Sequence, residues 1–161
     1  MLDRLLSPFV EAACDVLEQE ANVSVSRGSL SLKREAYVTD DVTVLINLVG
    51  DASGMAIFGM GTDTAKIIVS RMLGQEFDEF DALARSGIAE LSNVVSGQAT
   101  VGINQEVGIF TDISVPTLLL GSGSRVSTLG IDRLTIPLES EIGVIRVDLA
   151  VRLATKYQDV S

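Results

Sequence analysis

The sequence predicts an α+β domain of two layers, an antiparallel sheet with long helices packed on one face. Three observations carry this. Apolar residues recur at helical spacing near residues 2–20, 62–73 and 83–99. Runs rich in Val, Ile, Leu and Thr fill the chain between and after them. The order is helix, strands, helices, strands, with short turn signals joining neighbouring strands, which favours hairpins and hence an antiparallel sheet.

The first helix is expected over Leu2–Glu20, with Leu2, Leu5, Leu6, Phe9, Ala13, Val16 and Leu17 in one stripe. Ser7-Pro8 has the form of an N-cap and first helical residue, so its firm part is expected to begin there. Cys14 reads as a small residue of that helix near the core. Ser29–Val38 reads as a largely polar strand. Thr43–Val49 and Ser53–Met60 flank Gly50-Asp51 and read as a hairpin. Thr62 or Asp63 is placed to cap a helix running to Leu73, with Ala65, Ile68, Val69 and Met72 inward and Gly74 as its stop. Strands are expected at Pro116–Leu120, Val126–Leu138 and Ile142–Leu153, with Glu139–Gly143 as a second hairpin turn. In the last strand Ile145, Val147 and Leu149 alternate with Val144, Arg146 and Asp148, which puts the second set on the polar face. Ala154–Ser161 reads as a frayed tail.

With 161 residues and no linker or low-complexity run, residues 1–161 read as one domain. Hydrophobic content of 47% and a mean hydropathy of +0.37 exclude a disordered chain. No apolar run approaches the ~20 residues that span a bilayer. The acidic N-terminal stretch lacks the features of a signal peptide, and a lone cysteine forms no intrachain disulfide. A cytoplasmic location is the simplest reading. Twelve Lys and Arg against 22 Asp and Glu leave a net charge of −10, which argues against nucleic acid and anionic membrane as partners. There is no histidine. That removes Ser–His and Cys–His nucleophiles and, with a single cysteine, makes a protein-held zinc site untenable. Any catalysis must use carboxylates, amides, hydroxyls, Lys or Arg, or draw on a partner.

The helix LARSGIAELSNVVSGQA, Leu83–Ala99, has an unusual polar side. Ala84, Ile88, Leu91, Val95 and Ala99 make its core stripe. Opposite them stand Ser86, Glu90, Asn93 and Gly97. Residues three and four apart are neighbours on a helix, so Glu90 and Asn93 stand side by side, flanked by small residues. Gly87, Gly97 and Gly102 each cost this segment roughly 0.5–1 kcal/mol against Ala. Such a face is suited to close approach by another molecule, although on pattern alone a solvated surface is the simpler reading of Glu and Asn.

Other motifs carry less. Gly59 and Gly61 lack the third glycine of a dinucleotide loop and read as a tight strand-to-helix turn. The Gly/Ser loop at 121–125 reads as a flexible connection, Asp40-Asp41 as a turn, and Asp78, Glu79 and Asp81 as a solvated acidic loop.

The segment A-R-S-G-I-A-E-L-S-N-V-V-S-G-Q-A, followed by T-D-I-S-V-P-T at 111–117, resembles the CheX family of chemotaxis phosphatases, related to CheC and FliY. P-F-V-E-A at 8–12, the Gly54–Met60 strand and R-M-L-G at 71–74 extend the resemblance over nearly the whole chain. It implies a homodimer joined through its sheets and a substrate, the phospho-aspartate of a CheY-like response regulator. It implies that Glu90 grips the regulator through its active-site lysine and that Asn93 orients the attacking water. Ser86 and Gly97 would then be partner-binding positions where bulk would keep the helix out of the pocket. The chain itself would bind no cofactor or metal, with Mg²⁺ held by the regulator. None of the other asparagines, Asn22, Asn47 and Asn104, has a glutamate three residues before it, so a single site is expected. The alternative is a non-catalytic adaptor of the same fold that docks a response regulator.

Overall fold

A computed structural model describes residues Leu2–Tyr157. The elements in chain order are α1 (Leu2–Ala21), β1 (Ser26–Arg27), β2 (Ser31–Lys33), β3 (Tyr37–Val38), β4 (Val42–Gly50), β5 (Ala52–Met60), α2 (Thr62–Leu73), α3 (Ala82–Glu106), β6 (Thr111–Ile113), β7 (Thr117–Leu120), β8 (Arg125–Val126), β9 (Arg133–Ser140) and β10 (Gly143–Leu153). The main sheet runs β1-β9-β10-β5-β4-β6, with β2 also on β9 and β7 also on β4. Its pairings are antiparallel. The α+β expectation therefore holds, and the core lies between this sheet and the helices. Phe9, Val16, Ile68, Ile88 and Val95 from the helices share one buried cluster with Val44, Ile46, Phe58, Val147 and Leu138 from the strands.

The central hairpin forms where the sequence places it. Leu48 faces Gly54 and Val42 faces Met60, and Gly50 takes φ +110° at the turn, a conformation open to glycine. Asp51 secures the corner by accepting from the Phe110 amide at 2.9 Å. The same residue's carbonyl receives the Ala154 amide at 2.7 Å. Residues 154–157 are thus tied to the hairpin, the Tyr157 hydroxyl also donating to the Asp51 carboxylate at 3.3 Å from a 3₁₀ turn over Thr155–Tyr157, instead of fraying from Ala154. Residues 158–161, also expected to fray, lie outside the described residues.

Further expectations are corrected by tertiary contacts. The first helix is continuous from Leu2 and carries Pro8 within it. An interior proline costs about 3 kcal/mol. The turn before it buries Leu5 and Leu6, and full burial of a leucine contributes about 1.5–3 kcal/mol each, enough to hold that turn. Ser29–Val38 is broken into β2 and β3, which pair with different strands. The Val126–Leu138 run is likewise divided: β9 begins only at Arg133, after a turn in which the Thr128 hydroxyl donates to the Ile131 carbonyl. Helix α2 starts after Gly61 without a side-chain cap of its own. Asp41, distant in sequence, accepts from the Thr62 amide at 3.2 Å.

The second face of the sheet holds the largest departure. Asp148, expected on a polar surface, is 2% exposed. It accepts from Arg133 Nε at 2.9 Å and from the Thr135 hydroxyl at 2.6 Å. The small β3–β8 ribbon lies over this pair. Its Tyr37 ring is buried with the guanidiniums of Arg133 and Arg146 at 5.3 and 5.0 Å from the ring centre. Arg133 also donates to the Glu35 carbonyl, and Arg146 lies 3.3 Å from the Asp40 carboxylate. A charge left in the strand pattern by alternation alone is satisfied here by a partner fifteen residues away.

Candidate functional site

Helix α3 is the longest element of the fold, at 25 residues. Asp81 caps it, its carboxylate accepting from the Ala84 amide at 2.9 Å. The acidic loop before the helix therefore ends in a structural cap. The expected stripe Ala84, Ile88, Leu91, Val95 and Ala99 is buried throughout. Ser92, Ser96 and Thr100 are buried as well, and two of their hydroxyls turn back onto the helix: Ser92 to the Ile88 carbonyl at 2.9 Å, Thr100 to the Gly97 carbonyl at 2.8 Å. The three glycines divide by what they face. A methyl group on Gly87 would lie 3.0 Å from Cγ1 of Val69 on α2, and one on Gly102 would lie 3.3 Å from Cβ of Pro8 on α1. One on Gly97 would meet no atom within 4 Å. Gly87 and Gly102 thus serve helix packing, while Gly97 has no packing reason to be a glycine.

Ser86, Glu90 and Asn93 are exposed on the outer face of α3, and Gly97 is half-buried one turn further on. Ser86, Ala89, Glu90 and Asn93 form one wall of a shallow, open depression whose other wall is Val115 and Pro116. Gly97 lies beyond that lining. Among the described residues no side chain or backbone group forms a hydrogen bond or ion pair with the Glu90 carboxylate or the Asn93 amide. Both are uncommitted: a carboxylate free to meet a cation, and one turn away an amide that both donates and accepts.

Val115 and Pro116 reach the site through an irregularity of the edge strand. Ile113 of β6 faces Leu48 of β4, and Thr117 of β7 faces Leu45. Ser114, Val115 and Pro116 therefore stand opposite only Ile46 and Asn47. This is a β-bulge, one extra residue that re-aims the strand. Its base is pinned to Asn47 from both sides: the Ser114 amide donates to the Asn47 carbonyl at 2.9 Å, and the Asn47 amide donates to the Ser114 hydroxyl at 3.0 Å. Residues 111–117 carry the family resemblance, but nothing in their spacing alone places Val115 and Pro116 beside Glu90 and Asn93. The available signal was Pro116, a residue without a ladder donor in an otherwise strand-like run.

The depression is too open to strip a small substrate of water, unlike an enclosed ligand pocket. Among the described residues no three metal-ligating side chains converge. No helix there is long and apolar enough to cross a membrane. The arrangement presents two polar groups outward on an open wall.

Known proteins resemble this chain in sequence and in fold. The family model described as chemotaxis phosphatase CheX matches residues 42–139, which include α3 and the bulge. The "CheY-P phosphatase CheX" of Thermotoga maritima is 23% identical over 129 residues, covering 80% of this chain and 83% of the relative. The crystal structure of a chemotaxis protein CheX from Desulfovibrio desulfuricans superposes with a TM-score of 0.84 at 23% identity, over 92% of this chain and 99% of that one. A CheX–CheY–BeF₃–Mg²⁺ complex from Borrelia burgdorferi gives 0.77 at 25% identity, over 91% and 97%.

Proposed function

The chain belongs to the chemotaxis phosphatase CheX family, and from that membership we propose that it hydrolyses the phospho-aspartate of a CheY-like response regulator. The observation that carries this reading is the uncommitted Glu90/Asn93 pair on an open face of α3. The names of the similar proteins add support, one being a CheY-P phosphatase and another a complex with CheY.

The chemistry needs little from this chain. An aspartyl phosphate is an acyl phosphate whose leaving group is a carboxylate of ordinary pKa about 4, so no strong acid is required to expel it. The oxygen of water bonds to phosphorus as the bond from phosphorus to the aspartyl oxygen breaks. Positioning and charge stabilisation govern such a transfer. Asn93 supplies positioning: its amide oxygen accepts a hydrogen bond from the water and holds the water's oxygen in line with the breaking bond, as a glutamine does in GTPases, and the water's protons leave with the inorganic phosphate. Glu90 engages a cationic side chain of the regulator, in this family its lysine, and so sets the depth to which Asn93 enters. The small Ser86 and Gly97 let the helix approach. The regulator holds the Mg²⁺ that offsets charge at phosphorus. A shift of Asn93 by one residue would turn it about 100° away from the regulator.

A homodimer also belongs to this reading. The edge of the sheet at β7 exposes Leu120, and pairing with a second copy would cover such an edge. Sedimentation of the full chain should give twice the monomer mass, and a monomer at all concentrations would remove this part.

The roles of the pair are separable in a binding assay. Asn93→Ala should still bind a BeF₃–Mg²⁺-loaded regulator with near wild-type affinity, whereas Glu90→Ala should weaken binding about tenfold or more, the scale of a charge-assisted contact. Equal, undiminished binding by both variants would leave Glu90 without its assigned role. Binding with no turnover by the wild-type chain would favour the adaptor reading.

A further inference from the structure

We propose that Val115 is a docking residue of this site: an apolar contact that seats the regulator's surface beside its phosphorylation pocket. The inference rests on the phosphatase reading and goes beyond it, because it assigns the β6–β7 bulge a role in recognising the regulator.

Val115 is 83% exposed, on the wall of the depression opposite Glu90 and Asn93. A single exposed valine on a mobile loop would need no explanation. This one is held out by a built feature. The extra residue of the bulge, read from Ile113 facing Leu48 and Thr117 facing Leu45, breaks the alternation that would otherwise continue along the edge. Both Ser114 backbone and hydroxyl are engaged by Asn47, the hydroxyl also reaches the Val115 carbonyl at 3.2 Å, and Pro116 fixes its own φ on the other side. Val115 therefore loses little freedom when a partner covers it, the condition under which a small contact yields affinity. Among the described residues, nearby Ile113 and Leu118 pack toward the core cluster and Val115 does not. Bulges are frequent where a side chain must be re-aimed beside an active site. The occupant follows from continuity. A molecule that brings a phosphorylated pocket to Asn93 must also cover the other wall of the same depression, and the surface complementary to a rigid valine is an apolar side chain of that regulator.

A contact made equally before and during the reaction changes KM and leaves kcat alone. The test is steady-state turnover of the phosphorylated regulator by the full chain, with Val115→Ser, Val115→Ile and Asn93→Ala compared. Val115→Ser should raise KM about tenfold with kcat within about twofold, and Val115→Ile should restore KM, an effect that loss of one partly covered valine supports. If Asn93→Ala abolishes turnover while Val115→Ser leaves both constants within about twofold of wild type, this inference is wrong and the phosphatase reading stands. A fall in kcat with unchanged KM would also overturn it, by moving the residue's action from docking to the reaction. If the wild type does not accelerate hydrolysis at all, the phosphatase reading falls and the inference falls with it.

Discussion

Two glycines of one helix should respond to the same substitution in opposite ways. Gly97 lies in the interior of α3, and a methyl group there would touch nothing within 4 Å. Replacing it by alanine removes only the backbone-entropy penalty of an interior glycine, about 0.5–1 kcal/mol. For a chain of this size each kcal/mol moves Tm by about 2–4 °C, so Gly97→Ala should melt about 1–4 °C higher than wild type. Gly97→Leu should be comparably stable, because leucine is nearly as good a helix former and the side chain projects into open space. Gly87 sits ten residues earlier in the same helix, but its methyl group would lie 3.0 Å from Cγ1 of Val69. Gly87→Leu forces a full side chain into the α2–α3 contact, and overpacking of this kind costs about 1–3 kcal/mol or more. Differential scanning calorimetry of the three variants reads these signs directly. The functional sign is reversed for Gly97→Leu: with the fold intact, turnover of a phosphorylated regulator should fall at least about tenfold, because the added side chain holds the helix off the regulator's pocket. A Gly97→Leu chain that melts well below wild type would refute the packing argument. One that is stable and fully active would refute the assignment of Gly97 to the docking face.

The second face of the sheet gives two further tests. Asp148→Ala leaves Arg133 buried without its counter-charge and the Thr135 hydroxyl without its acceptor, a change expected to cost about 3–5 kcal/mol in urea unfolding; a loss below about 1 kcal/mol would contradict the burial of the pair. Burial raises the Tyr37 phenol to about 12. The unfolded phenol loses its proton near pH ~10, so between about pH 10 and 12 the folded state binds more protons and stability falls as pH rises. The contribution is about 2–3 kcal/mol over that window, and Tyr37→Phe should lack it; parallel alkaline losses in wild type and variant would place Tyr37 elsewhere.

Local signals sufficed where local physics decides. The β4–β5 hairpin and its Gly50-Asp51 turn, the span of α2 with Gly74 in the left-handed conformation at its end, and the buried stripe of α3 were all legible, because periodicity and turn chemistry are written in neighbouring residues. Asp148 was misread for the complementary reason. Strand alternation says which face a residue takes, and nothing in it reports that a ribbon from residues 37–38 and 125–126 closes over that face. Pro8 marked a helix start by rule, yet Leu5 and Leu6 buried in the core carry the helix back past it. At the site, helical periodicity alone suffices to put Ser86, Glu90, Asn93 and Gly97 on one outward face. The opposing wall was not legible, because the bulge at Ser114–Pro116 is defined by its register against β4, a relation between residues some 70 positions apart.

The phosphatase reading depends above all on Asn93. The most direct measurement is the lifetime of a phosphorylated CheY-like regulator from the same genome, alone, with substoichiometric wild-type chain, and with Asn93→Ala. The lifetime should shorten with the wild type and stay unchanged with the variant, with both chains equally folded by circular dichroism. An equal shortening by Asn93→Ala, or no shortening by a wild-type chain that binds the regulator, would contradict this.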